Sequence, residues 1–292
     1  MKVQGSDSSI LIKTSHHEDN QRLYDVPYSE ETIRDAVSLL QEEAAIEGDG
    51  VCKVIIKKCG VTGCIVTSLN IDTVPLLLFL AFGSAGNPLF VSETRNVYSC
   101  KLSLLPLEDT ERFDLIQDRG IERRVYEQCS VNSFELRFER EQNIKLKLDI
   151  CGERYAAPYL YTDTFEKSTG ERFNGNNVDY RINGKLNLNI YGLTLLVKKD
   201  KGIKSEIWIR RILEKDNYLT ESIDEFQITA RLLSSKYEYR SYGIFRITLK
   251  NLKFISDETT VDSADTVIGP VRYYVSGDVF TDVYTSGEEN IS

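Results

Sequence analysis

Between Val131 and Gly152 the chain reads VNSFELRFEREQNIKLKLDICG. Phe134, Leu136 and Phe138 alternate with Glu135, Arg137 and Glu139; beyond the polar EREQN, Ile144, Leu146, Leu148 and Ile150 alternate with Lys145, Lys147 and Asp149. Successive side chains point to opposite sides of a strand, whereas a helix gathers residues three and four apart. The pattern therefore predicts an antiparallel hairpin with one apolar face on a core and one charged face away from it. A slip of one residue would send every apolar side chain to the wrong face. The charged face mixes both signs, as cross-strand ion pairs require, but each exposed pair contributes only about 0.2–1 kcal/mol. The alternation locates two faces; on its own the charged one reads as the solvent side of a sandwich.

Similar runs fill much of the chain: VCKVIIKK, NVYSCKLSLLPL, EIWIRRIL, EFQITARLL, GIFRITLKNLKF and PVRYYVSGDVFTDVY. With 16 Tyr and 12 Phe, the composition favours sheet. In RINGKLNLNIYGLTLLVKK the apolar phase moves from Ile182, Leu186, Leu188 and Ile190 to Leu193, Leu195 and Val197, which predicts a bulge near Gly192. SEETIRDAVSLLQEEAAIE reads as a helix, capped by Ser29 and striped by Ile33, Val37, Leu40 and Ala44. A short buried helix is predicted in the run Thr73 to Gly83, with Asp72 as cap, Pro75 in its first turn and Gly83 as terminator. Residues 108–120 read as a polar loop and 153–177 as a long connection. The expected fold is mainly β, an antiparallel sandwich or barrel with one or two short helices. An arm over 1–28 precedes a β domain over 29–285, and 286–292 form a tail. Two zones of strands leave open one elaborated sandwich or two related sheets.

Net charge is −9, which argues against holding nucleic acid by phosphate neutralisation. No apolar stretch follows Met1 as in a signal peptide, and TVPLLLFLAFG falls short of the roughly 20 residues of a membrane helix. The six cysteines are dilute and read as free thiols. The four-residue gap in CGVTGC fits metal knuckles poorly, and His16 and His17 sit together in the arm. No nucleophile elbow, P-loop or dinucleotide glycine fingerprint occurs. The acidic clusters Glu108, Asp109, Glu111 and Asp257, Glu258, Asp262, Asp265 read as solvated turns rather than a calcium loop. Neither enzyme activity nor a cofactor is expected. Trp208, among alternating apolar residues, reads as core or interface.

FVSETRNVYSCKLSLLPLEDTERFDLIQDRG followed by CSVNSFELRFEREQNIKLKLDICG resembles the major tail tube proteins of tailed bacteriophages, and is similar to the inner tubes of contractile injection systems. The shared elements are Val131 with Ser133, Phe134, Glu135 and Leu136, a charged turn, then Lys145 through Ile150 with Gly152. The resemblance is clearest over 86–152. It implies a virion tail component, assembled in the host bacterial cytoplasm, whose subunits build stacked rings. A hexamer is expected, or a trimer imitating one if the chain is duplicated. Implied partners are the chain itself, tail terminator and tail tip or baseplate proteins, the tape measure protein in the channel, and double-stranded DNA in passage; no membrane is involved. Glu135, Arg137, Glu139, Lys145, Lys147 and Asp149 become candidate channel-lining residues. Phe113, Leu115 and Ile116, with Tyr155, Tyr159 and Tyr161, become candidates for ring stacking; alternatively the first three fold back onto their own core. The second expectation is a soluble β-sandwich module binding carbohydrate or protein, with those tyrosines as its platform.

Overall fold

The alternating stretch folds as a hairpin in the middle of an antiparallel sheet. The computed structural model describes residues 8–14, 23–41, 54–85, 89–92, 97–119, 123–156, 168–212, 222–232, 243–257, 260–261 and 267–286. The chain opens with β1 (Ser9–Thr14), β2 (Leu23–Asp25), β3 (Glu30–Glu31), β4 (Arg34–Gln41) and β5 (Val54–Ser68), then α1 (Val74–Phe82). Next come β6 (Gly83–Ala85), β7 (Leu89–Ser92), β8 (Val97–Leu104), β9 (Phe113–Asp118) and the hairpin of β10 (Arg123–Glu139) and β11 (Lys145–Ala156). The last part holds β12 (Val178–Ile182), β13 (Lys185–Asn187), β14 (Ile190–Lys198), β15 (Lys204–Ile212) and β16 (Ile223–Arg231). It ends with β17 (Gly243–Asp257), β18 (Thr260–Val261), β19 (Val267–Val275) and β20 (Val279–Ser286).

One layer runs β5–β11–β10–β14–β15. β19 pairs with β15 on one side and with the C-terminal half of β17 on the other, carrying the sheet into the second layer. There β17 lies between β16 and the end-to-end pair β19 and β20, with β8 beyond β20. The ladders branch and end without returning to their start, so the sheet is open. β2, β4 and β13 each have a single strand neighbour among the described residues. The layers meet through aromatic rings: Phe138 on β10 lies 6.2 Å from Phe245 on β17, and Phe173 stands edge-on to Phe245 at 5.0 Å. Phe82 of α1 packs 5.4 Å from Phe134.

α1 matches its expected span, with proline in the first turn and Gly83 closing it in the left-handed conformation. Its cap differs. Asn70 Oδ1 accepts from the Thr73 N–H and hydroxyl, whereas Asp72 accepts from the Gly170 N–H and Ser168. The register of β14 against β15 shifts between Ile190 and Gly192, the bulge that the phase change predicts.

Several expectations are overturned. The segment read as a helix from Ser29 is extended: β3 and β4 pair with β5, and Ser29 donates to the Val66 carbonyl instead of capping. Helical propensity is worth a few tenths of a kcal/mol per residue, less than pairing against a 15-residue strand returns. Residues 42–53, which include Ala44, lie outside the described residues. The apolar ILI of the supposed arm is a buried strand, β1, paired along its length with β9. β9 itself occupies the centre of the expected loop 108–120. Leu186 and Leu188, in the apolar phase before the bulge, are 51% and 75% exposed on the β12–β13 edge.

The EREQN turn is secured from within the chain. Glu141 adopts a left-handed backbone, its N–H donates to Asn176 Oδ1, and the Gly175 N–H donates to the Gln142 carbonyl. A Cβ on residue 175 would stand 1.9 Å from the Glu139 carbonyl oxygen. Gly175→Ala is therefore expected to cost about 1–3 kcal/mol by forcing that backbone apart, read as a lowered urea midpoint.

Candidate functional site

The hairpin sets the site. Phe134, Leu136, Phe138, Ile144, Leu146 and Leu148 are fully buried, so the residues between them are driven to the opposite face. Across β10 and β11, Glu135 stands opposite Lys147, Arg137 opposite Lys145, and Ser133 opposite Asp149. All six candidate channel residues thus share one face of the sheet. Arg137 pairs with Glu135, and the bond raises its already high pKa; Lys147 pairs with Asp149 at 3.3 Å, and Glu139 with Arg210 at 3.0 Å. Three bases (Arg137, Lys145, Lys147) stand against three acids (Glu135, Glu139, Asp149), so the ribbon's face is neutral.

Strand register extends this wall well past the ribbon. One cross-strand row runs Arg137, Thr194, Trp208, Arg272; the next runs Glu135, Leu196, Glu206, Tyr274, Lys253. A third sets Ser133 beside Lys198 and Lys198 beside Lys204. Trp208 is not in the core: it is 39% exposed, with the Arg272 guanidinium 5.0 Å from its ring centre. Arg272 in turn pairs with Glu206 at 3.3 Å. The sequence left Trp208 open between core and interface, and Tyr274 was not singled out because β19 places adjacent tyrosines on its two faces, Tyr273 buried and Tyr274 exposed.

The candidates for ring stacking fare differently. Phe113, Leu115 and Ile116 belong to β9, not to a loop, and all are buried. Phe113 and Leu115 join the main core, while Ile116 packs with Leu11 and Val125 on the other side of the strand. Side chains enclosed by their own chain offer no surface to a neighbouring ring. Tyr155 lies in β11 opposite Tyr126, its side chain outside the described residues along with Tyr159 and Tyr161.

Cys64, Cys100, Cys129 and Cys151 are free thiols, and burial pushes the Cys129 thiol up to about 12, away from the reactive range. Among the described residues no three His, Cys, Asp or Glu side chains gather as metal ligands, and no helix is long and apolar enough to cross a membrane. His16 and His17 lie outside those residues. No protein-family model matches the chain, and no curated protein matches it.

Proposed function

We propose that the chain is a structural subunit of a phage-type tail tube, assembling into stacked rings around a channel that conducts DNA. The observation that carries this reading is the wall itself: a broad antiparallel face over the core, whose ribbon sets three bases against three acids. A ribbon with no net charge offers phosphates no net countercharge and so lets DNA slide, whereas an excess of lysine would hold it. The open sheet supports the same reading, because strands such as β13 with one neighbour are protected when copies close into a ring. In this reading the chain's partners are its own copies, in hexameric or pseudo-hexameric trimeric rings, with terminator, tip or baseplate and tape measure proteins. It acts in the virion without enzymatic chemistry.

Negative-stain imaging of concentrated full-length chain tests this, with rings or hollow filaments expected; particles that stay single at every concentration reject it. In assembled tubes, Glu135→Lys with Glu139→Lys turns the neutral ribbon into a basic one. Assembly is expected to persist while DNA delivery falls, and delivery at the unaltered rate would remove the ribbon from the channel wall.

A further inference from the structure

Where the EREQN turn meets the β12–β13 edge, a groove of about 60 Å³ opens beside Arg140, Asn176, Tyr180 and Asn187. One water needs about 10–15 Å³ of such space, so the groove has the room of about four to six waters, that of a single sugar ring. Most of its polar groups are donors. Tyr180 is 6% exposed, its ring packed 6.4 Å from that of Phe226, yet its hydroxyl has no hydrogen-bond partner among the described residues. Burial raises the pKa of that hydroxyl above its ordinary value and keeps it protonated, and the charge of Arg140 reaches it in the same groove. The Arg140 guanidinium is exposed and forms no ion pair among the described residues. Asn176 Oδ1 accepts from the Glu141 N–H and Asn187 Oδ1 from the Asn189 N–H, so both amides keep their own N–H groups to donate. The carboxylate in the lining, Asp179, is already paired with Arg231. Leu186 and Leu188 make an exposed apolar ledge, with part of the Tyr191 ring beside them.

These groups define the ligand they suit. A guanidinium and a phenol hydroxyl together match the two oxygens of a carboxylate. Such a carboxylate leaves the amides of Asn176 and Asn187 unmet, which calls for further oxygen acceptors on the same small molecule. The leucines and Tyr191 suit the C–H face of a ring, and the Tyr180 hydroxyl gains the partner that its burial denies it. We propose that the groove binds an acidic sugar: its carboxylate against Arg140 and Tyr180, its hydroxyl oxygens against Asn176 and Asn187, and its ring on the leucine ledge. The site goes beyond the tube reading and does not rest on it, since every group it uses belongs to one copy of the chain.

Titration of the full chain with sodium glucuronate, followed by saturation-transfer NMR of the sugar, tests this. Binding on the order of millimolar is expected, as for other ligands of this size, with glucose and acetate each at least about tenfold weaker. Arg140→Gln is expected to weaken glucuronate at least about tenfold and to leave glucose unchanged. Tyr180→Phe, which removes only the hydroxyl, is expected to weaken glucuronate about threefold to tenfold. Far-UV circular dichroism checks that both variants keep the fold. Glucuronate that binds no better than glucose, or that binds both variants like the parent, overturns the proposal. Acetate or hexanoate that matches glucuronate makes the groove a general carboxylate site and overturns the assignment to a sugar.

Discussion

Lys199→Met is expected to raise the unfolding free energy by on the order of 3–5 kcal/mol near neutral pH, an unusual gain for a single substitution. Lys199 follows β14 and continues its inward phase after Leu195 and Val197, so the whole side chain is enclosed at 0% exposure. Its N–H donates to the Asn132 carbonyl at 2.9 Å, but its amine has no hydrogen-bond partner. The Ser205 hydroxyl and Asn132 amide oxygen are likewise buried without partners. Burial without a counter-ion lowers the amine's pKa from 10.5 to about 7. The unfolded chain holds this proton up to about pH 10.5 and the folded chain only up to about 7. Stability of the parent therefore rises with pH across that window, and the penalty is largest below it, where both states are charged. Methionine fills nearly the same volume with no charge to desolvate. Urea unfolding at a series of pH values should show the advantage of Lys199→Met greatest below about pH 7 and shrinking towards pH 10.5. A pH-independent difference would mean that packing, not ionisation, sets it.

Phe245→Ala is expected to remove about 3–5 kcal/mol, a large fraction of the stability of an ordinary domain. Phe245 is fully buried on β17 and touches the rings of both Phe138 and Phe173. It ties the second layer to the ribbon and to the segment that closes the hairpin turn, so truncation leaves a cavity where two layers meet. The urea midpoint should fall sharply with little change in slope. Leu188→Ser, at a residue 75% exposed on the β12–β13 edge, is the matched control and should stay within roughly 0.5 kcal/mol. A comparable loss at Leu188 would show that the edge, not the interlayer core, carries stability.

The contrast between Phe245 and Leu188 also shows where reading the sequence succeeds. Ile182 to Ile190 and Leu193 to Val197 have equally clear apolar spacing, yet the first run exposes Leu186 and Leu188 and the second is core. Period alone tells which residues share a face; it does not tell whether another layer arrives to cover that face. The segment after Ser29 fails for a related reason: its helical spacing is real, but β5 offers a pairing partner that no local rule weighs. Phe113, Leu115 and Ile116 were masked by flanking charges, which gave a buried strand the composition of a loop.

What the sequence determined by itself is the hairpin and the identity of its two faces, together with the bulge near Gly192 and the short helix ending at Gly83. Each is a local consequence of side-chain period or of glycine's backbone freedom. Only the tertiary structure decided what the charged face adjoins. Register carries it from Glu135 through Leu196 and Glu206 to Tyr274, residues 139 positions apart in the chain, because hydrogen-bonded ladders join strands without regard to their separation in sequence. The whole-chain charge of −9 gave no hint of a ribbon whose bases and acids are equal in number, since a sum over the sequence contains no information about which side chains share a surface.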